Sequence, residues 1–510
     1  MAETAIENVL GQVDDLVIAT MNEHALAGLA VGVVHRGELV YAKGFGLADA
    51  KEERPVTPDT VFRIGSISKT FTAIALMQLW EQGKFQLDDP VKDYLTAFKV
   101  LHRDPNAPPV TFRHLLTHTA GIGEFRDITD LARFRRAFAL GAKEDEPIPA
   151  PREYYRGRLT TELYPGQKWA YANHGFAALG QLVEDISGEP FEEHMIGHVF
   201  EPLGMYRTDF LRSERVRDEL AVGYQLKKNG LTPVDYLEIT IRPAGSIFSS
   251  VTEMAKYVAA LLNGGRNEHG SAIQPETLHM MMEPHYVLDE RLPGMGLAFW
   301  LDSIGGHRIA HHGGGWAGFV SAMLVAPDDD LGVLAFTNTS NLAPYPIALS
   351  LMQRLLGVPD ETIAVPRPGM LETPHLWPEL CGFYGPKPGF MTNARIWMSF
   401  AGEAEVFIKD NRLAIRALVG PLRKGLTLYR TDADDPLAFQ AEYEKLPIPF
   451  VFRRNEDGQV ERLCSAGAMG FLDLYKRPKG ESLSFRARVA LSGLAALVAG
   501  VLGLRLLRKR

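Results

Sequence analysis

A serine and a lysine three residues apart could supply a nucleophile and the group that handles its proton. Ser66 and Lys69 stand at the start of the segment SISKTFTAIALMQLWEQ, whose apolar residues predict a central helix packed on several sides. On a helix the two side chains would share one face, and a desolvated lysine can activate a serine hydroxyl. The pair alone is a weak indicator, because a chain of this length should contain roughly one Ser-x-x-Lys by chance.

Two further clusters follow in the order that a known family would require. The sequence PGQKWAYAN ends at Tyr171-Ala172-Asn173, and the sequence HHGGGWAGF covers residues 311–319. Together with VFRIGSISKTFTA, VTFRHLLTHTAGI and AGSIFSSVTEMAKY, these clusters resemble the β-lactamase-related serine hydrolases. That family includes class C β-lactamases, DD-peptidases, D-aminopeptidases and family VIII carboxylesterases. The resemblance runs from about residue 10 to residue 355.

The resemblance implies three catalytic residues. Ser66 would be the acylated nucleophile and Lys69 its proton-relay partner. Tyr171 would be the general base, with nearby lysine charge favouring its phenolate. Whether Lys69 or Tyr171 takes the proton during acylation stays open.

The resemblance also implies four binding residues. Asn173 would hold the acyl-side amide or carbonyl of the substrate, and His312 and Gly314 would fill the third motif. The N–H groups of Ser66 and Gly315 would form the oxyanion hole. No metal and no cofactor are expected.

The third motif departs from the β-lactamase pattern, which has lysine where this chain has His312. A lysine presents a permanent cation to a substrate carboxylate, whereas histidine is mostly neutral near pH 7. We therefore expect an acyl-serine hydrolase of a small ester or amide, such as an esterase or a D-aminopeptidase. A catalytically idle binding or membrane-scaffold protein is the alternative, and a β-lactamase or DD-peptidase is a weaker one.

A metal-dependent hydrolase is the remaining hypothesis. His114 and His118 are four residues apart in HLLTH, which on a helix is the spacing of two zinc ligands. The glutamate that would act as base is missing, because Leu115 takes its place. We therefore interpret HLLTH as a structural helix near the cleft.

The elements that position these residues are those of an α+β fold. Residues 29–41 and 319–338 each read as two strands joined by a turn, with helical patterns between the two pairs. This order predicts an antiparallel sheet flanked by helices, with a helical subdomain, over residues 1–357. Four prolines mark 358–375 as a linker. Short alternating runs beginning with RIWMSF predict a small all-β barrel or sandwich over 376–478.

The charge distribution indicates a membrane rather than nucleic acid as a partner. The 510-residue chain has a net charge of −8, although nine basic residues and one acid follow from Lys476 onward. Residues 1–475 are therefore strongly acidic, and they do not offer the basic face that nucleic-acid binding requires.

Residues 486–510 predict a transmembrane tail. The run from Val489 to Leu504 contains no charge. It would span about 24 Å as a helix, and a snorkelling Arg505 could extend it toward the roughly 30 Å hydrocarbon core. The N-terminus shows no signal-peptide pattern, so we expect the catalytic domain on the cytoplasmic face. An oligomer is also compatible with the sequence.

Overall fold

The structure is a computed structural model that divides into two compact units. It describes residues 3–125, 141–143, 146–360, 365–367, 369–387, 389, 392–467 and 470–483. The first unit comprises the described residues of Met1–Val287, Pro293–Ile363 and Glu444–Leu446. The second comprises those of Leu288–Leu292, Ala364–Tyr443 and Pro447–Arg510.

The helices lie mainly in the first unit. In chain order they are α1 Glu3–Leu10, α2 Val13–His24, α3 Ser68–Glu81, α4 Phe112–Leu116, α5 Pro151–Tyr154, α6 Asn173–Ser187, α7 Phe191–Met195, α8 Val251–Leu262, α9 Pro275–Met281, α10 Pro344–Leu355, α11 Trp377–Leu380 and α12 Ala394–Phe400.

Within the described residues, the strands fall into two large sheets and four small ones. In chain order they are β1 Gly28–His35, β2 Glu38–Asp49, β3 Arg54–Pro55, β4 Phe62–Arg63, β5 Lys99–His102, β6 Gly141–Lys143, β7 Arg158–Thr161, β8 Tyr224–Lys227, β9 Gly230–Pro233, β10 Leu237–Ile239, β11 Phe248–Ser249, β12 Gly294–Met295, β13 Trp300–Ile304, β14 His307–Trp316, β15 Phe319–Ala326, β16 Leu331–Thr337, β17 Gly382–Gly385, β18 Ala404–Lys409, β19 Arg412–Ala417, β20 Leu426–Thr427, β21 Tyr429–Arg430, β22 Ala438–Tyr443, β23 Leu446–Arg454, β24 Val460–Ser465 and β25 Leu472–Arg477.

The first unit is built on an eight-stranded sheet in the order β12-β13-β14-β15-β16-β1-β2-β3. Strand β1 pairs antiparallel with β2 on one side and with β16 on the other, so the beginning and end of the unit meet at the sheet centre. The two strand pairs predicted from the sequence, and the antiparallel sheet that joins them, are confirmed.

Helices cover both faces of this sheet. Val31 of β1 belongs to an apolar cluster with α2 and α10, whereas Val34 of the same strand belongs to the larger cluster that contains α3, α6 and α8. Helix α8 lies very close to the strands, since a Cβ added to Gly32 or Gly332 would meet a valine of that helix within 2.4 Å. Such two-sided burial explains why β1 has almost no polar residue.

Helix α3 runs through the centre of the first unit. Eleven of its residues are buried, which is why its apolar residues are not confined to one stripe. The predicted helix is therefore confirmed, with Ser66 in a 3₁₀ turn, Gly65–Ile67, just before it.

The second unit is built on a nine-stranded antiparallel sheet in the order β20-β19-β18-β17-β25-β24-β23-β22-β21. Its two edge strands, β20 and β21, are neighbours in sequence, so the sheet curls into a barrel-like form. The expectation of a strand at RIWMSF is wrong, because these residues belong to α12. Ile396 and Phe400 are buried and lie four residues apart, which matches one helix face rather than strand alternation.

The predicted transmembrane tail at residues 486–510 lies outside the described residues. Within the part of the chain that the structure describes, no helix is both long enough and apolar enough to cross a membrane.

Candidate active site

A tight turn presents Ser66 at the entrance to helix α3. Gly65 has φ +53°, a conformation that a side chain would disfavour. The Ser68 hydroxyl donates a hydrogen bond to the Gly65 carbonyl at 2.7 Å and accepts one from the Ile247 N–H at 3.1 Å. These bonds fix the turn, and Ser66 remains partly exposed.

Lys69 lies one helical turn further on, and its side chain is completely buried. Its Nζ donates to Ser66 Oγ at 3.0 Å, to Asn173 Oδ1 at 2.8 Å and to the Ala244 carbonyl at 2.6 Å. An ammonium group has three N–H donors, and these three acceptors match them. The site therefore satisfies a buried lysine cation whose burial would otherwise be costly.

Asn173 is oriented by a residue that the sequence did not single out. It is the first residue of α6, and its Nδ2 donates to Glu124 Oε1 at 3.1 Å. Because that bond fixes the amide nitrogen, Asn173 Oδ1 faces Lys69. Glu124 is only 4% exposed, and no spacing in the sequence connects it with Asn173.

Tyr171 lies against Lys69 and His118. Lys69 Nζ is 4.8 Å from the centre of the Tyr171 ring, and the His118 ring is 4.2 Å from it. His118 Nδ1 accepts a hydrogen bond from the Ala172 N–H at 3.1 Å. His118 thereby supports the segment that carries Tyr171.

The expectation that HLLTH forms one helix is wrong. Helix α4 ends at Leu116, and His118 has φ +58°, so His118 lies beyond the helix. His114 instead completes a capping box with Thr111 at the start of α4. The chain therefore turns between the two histidines, and helical spacing no longer places them on one face.

Strand β14 brings its glycines against the turn that holds Ser66. A Cβ on Gly314 would lie 1.8 Å from the Ile64 carbonyl oxygen, and a Cβ on Gly65 would lie 2.6 Å from the Gly315 nitrogen. Ser321 of the neighbouring strand also donates to the Ile64 carbonyl, at 2.7 Å. The Gly315 N–H therefore lies beside the turn that holds Ser66, as a two-N–H oxyanion hole would require.

His312 is buried on the same strand and is 2% exposed. Its Nδ1 is 2.7 Å from the Gly313 carbonyl, which fits an Nδ1–H donor. Burial, helped by the nearby Lys69 charge, lowers the pKa of His312 to about 3. The imidazole is therefore neutral at pH 7.

Arg63 is a second residue near the site that the sequence analysis missed. It is 3% exposed, and its guanidinium carbon lies 5.2 Å from the ring centre of Tyr236, 4.7 Å from that of Phe248 and 5.4 Å from that of Trp316. Arg63 and Trp316 Nε1 both donate to the Leu237 carbonyl. Arg63 therefore helps fix Trp316, which directly follows Gly315. A charged residue in the apolar run VFRIG was the available signal.

Comparison with known proteins agrees with this geometry. The Beta-lactamase family model matches residues 13–354, which is well over half of the chain. PbpX of Bacillus subtilis (strain 168) is 32% identical over 247 residues, covering 48% of this chain and 57% of PbpX. Esterase EstB of Burkholderia gladioli is 30% identical over 224 residues, covering 41% of this chain and 54% of EstB. The chain thus spans a little over half the length of these two curated relatives.

A solved structure extends the similarity of fold beyond the matched region. The octameric penicillin-binding protein homologue from Pyrococcus abyssi aligns with a TM-score of 0.61 at 24% identity, covering 92% of this chain and 99% of that one. At that identity the alignment supports the fold alone: an antiparallel sheet flanked by helices, as in β-lactamases and transpeptidases, with a further β-domain. The family match and the arrangement of all three motifs around Ser66 agree, and the chain belongs to the beta-lactamase family.

Proposed function

We propose that this protein is a serine hydrolase that acts on a small ester or amide through an acyl-Ser66 intermediate. The observation that carries the proposal is the 3.0 Å hydrogen bond from buried Lys69 to the partly exposed Ser66 hydroxyl. Members of the beta-lactamase family are typically serine hydrolases, and the relatives include an esterase.

In the proposed reaction, Ser66 Oγ attacks the substrate carbonyl and loses its proton to a base. Lys69 already donates three hydrogen bonds, so its ammonium form has no lone pair to offer. We therefore assign the proton to Tyr171, whose ring lies beside the Lys69 charge. The N–H groups of Ser66 and Gly315 would stabilise the negative oxygen of the tetrahedral intermediate.

Collapse of that intermediate expels the alcohol or amine, which takes the proton from Tyr171 as it leaves. Water then attacks the acyl-Ser66 ester and gives a proton to Tyr171. Tyr171 passes this proton to Ser66 Oγ as the acyl–oxygen bond breaks, so that the carboxylic acid leaves and the Ser66 hydroxyl is regenerated. Asn173, held by Glu124, would bind the acyl side of the substrate.

The neutral state of His312 favours substrates without a carboxylate next to the scissile bond. A β-lactam or a peptide C-terminus would meet an uncharged imidazole at the position where a lysine would supply a cation. We therefore rank β-lactamase and DD-peptidase activities below ester hydrolysis.

Covalent labelling tests whether Ser66 is the nucleophile. Wild-type protein should react with a fluorophosphonate probe, and Ser66→Ala should fold normally yet lose the label, because the attacking oxygen is removed. Ser303→Ala, in the hairpin formed by β13 and β14, serves as the matched control and should label like wild type. Persistent labelling of Ser66→Ala would show that the nucleophile is misassigned, and an unreactive wild type would favour the idle binding protein.

A substrate panel tests the class of substrate. Short-chain nitrophenyl esters, D- and L-aminoacyl anilides and nitrocefin would be compared on the same preparation, with Ser66→Ala as the blank. We expect clear ester turnover and little or no nitrocefin hydrolysis. Fast nitrocefin turnover would contradict the argument from His312.

A further inference from the structure

A cluster of two imidazoles and one carboxylate lies outside the candidate active site. Glu189 Oε2 is 3.0 Å from His194 Nδ1 and 3.0 Å from His198 Nε2. Each of the three side chains can offer one metal-ligand atom, and these three atoms all lie within 4.8 Å of one another. Neither the family motifs nor the proposed reaction uses these residues.

The local backbone brings the two histidines together. His194 lies in α7, and His198 lies in the π-helical turn Ile196–Phe200 that directly follows. Their ring centres are 4.4 Å apart, because residues four apart on a helix stack on one face. Glu189 precedes the helix and reaches back to both rings, so one carboxylate oxygen joins the pair.

We propose that Glu189, His194 and His198 form a binding site for a divalent metal ion of the zinc type. Two imidazoles and a carboxylate suit Zn²⁺, with a water molecule as the fourth ligand. Metal–ligand bonds of about 2.0–2.2 Å in a tetrahedron place the ligand atoms roughly 3.3 Å apart. The observed 3.0 Å separations need only a small adjustment to reach that geometry.

The site also connects with the helix that follows the nucleophile. Gln78 of α3 donates from Nε2 to the His198 carbonyl at 2.8 Å. A metal bridging Glu189, His194 and His198 would hold the segment 189–198 in the conformation that accepts this bond. Because the unfolded chain does not hold the three ligands together, binding should stabilise the folded protein.

Zinc titration tests the site without reference to enzymatic activity. Untagged full-length protein would be stripped with a chelator, dialysed and titrated with ZnCl₂ in a calorimeter. We expect one site per chain in the wild type, and at least about tenfold weaker binding in His198→Ala and Glu189→Gln. Both altered residues are largely exposed, so these variants should fold.

His279→Ala is the matched control. His279 also pairs with a glutamate across helical spacing, Glu283 at 3.3 Å, but this pair is not among the three-ligand clusters of the described residues. Zinc should bind this variant as it binds the wild type, and should raise the unfolding temperature of both. Wild-type affinity in His198→Ala, or the absence of zinc binding to the wild type, would overturn the proposal.

Cobalt provides an independent readout of the ligands. Co²⁺ added in place of zinc should give the intense visible absorption bands of a tetrahedral nitrogen and oxygen site in the wild type and in His279→Ala. The bands should be lost in His198→Ala. Equal spectra in all three proteins would show that the metal binds elsewhere and would equally overturn the proposal.

Discussion

At the scale of single residues, the candidate site contains two buried basic side chains that differ in their hydrogen bonding. Lys69 has an acceptor for each of its N–H donors. His312 Nε2, by contrast, is buried and has no hydrogen-bond partner among the described residues. A buried histidine without an acidic partner stays neutral, because burial penalises its charged form. His312 therefore contributes no positive charge to the site at pH 7.

The neutral state of His312 should make the protein less stable in acid. Between pH 6.5, its ordinary pKa, and the folded pKa of about 3, the unfolded chain binds a proton on His312 and the folded chain does not. Protonation of His312 therefore does not lower the free energy of unfolding above pH 6.5. Below pH 6.5 that free energy decreases as the pH falls, by up to about 1.4 kcal/mol per pH unit. Denaturant unfolding of wild type and His312→Gln from pH 7.5 to pH 4.5 measures this: the variant's stability should fall less steeply.

Wild type and variant are compared by the slope of the unfolding free energy against pH. The absolute stabilities are not compared, since the substitution also changes buried packing. His279→Gln, which removes an exposed histidine, is the control for the substitution itself. Parallel curves for wild type and His312→Gln would mean that His312 is protonated alike in the folded and unfolded chains.

At the scale of elements, the site depends on how closely β14 approaches the turn before α3. Strand β14 supplies the Gly315 N–H, while the turn supplies the Ser66 N–H and hydroxyl. The backbone contact at Gly314 leaves no room for a side chain, because an added Cβ would lie 1.8 Å from a backbone oxygen. By contrast, a Cβ on Gly315 would meet nothing within 4 Å.

These two neighbouring glycines make a matched pair of variants. Gly314→Ala should destabilise the protein by about 1–3 kcal/mol or more through overpacking, and should lower kcat by displacing the proposed oxyanion hole. Gly315→Ala should unfold at the wild-type denaturant midpoint. Thermal and denaturant unfolding, with ester turnover on the same samples, measure both effects. Equal stability of the two variants would contradict the close approach of strand and turn.

At the scale of the whole molecule, the C-terminal apolar run remains a prediction from the sequence. The uncharged stretch from Val489 to Leu504 is apolar on every face, whereas a helix lying at an interface keeps a polar stripe. Full-length protein should therefore stay with membranes through a carbonate wash, and a truncation ending near Gly480 should be found in the supernatant. Full-length protein in the supernatant would disprove the anchor.

The secondary structure that was predicted correctly follows from patterns among residues close together in the sequence. Alternation and turn residues predicted the pairing of β1 with β2 and of β15 with β16, because a hairpin is set by neighbours in sequence. The apolar run after Ser66 predicted α3 for the same reason. The prediction of a strand at RIWMSF was wrong, because a run this short fits both the strand period and the helix period. Only its burial in the second unit selects the helix.

The set of residues at the site was predicted from the sequence through the family resemblance, and not from local spacing. Ser66 and Lys69 are close along the chain, whereas Lys69 contacts Asn173 across 104 positions and Ala244 across 175. No local pattern encodes such contacts, since they exist only after the sheet and helices have packed. Glu124 and Arg63 were missed for that reason, and His118 was interpreted only as part of a helix. The tertiary structure alone decided their roles, because each acts through a neighbour that folding brings to it.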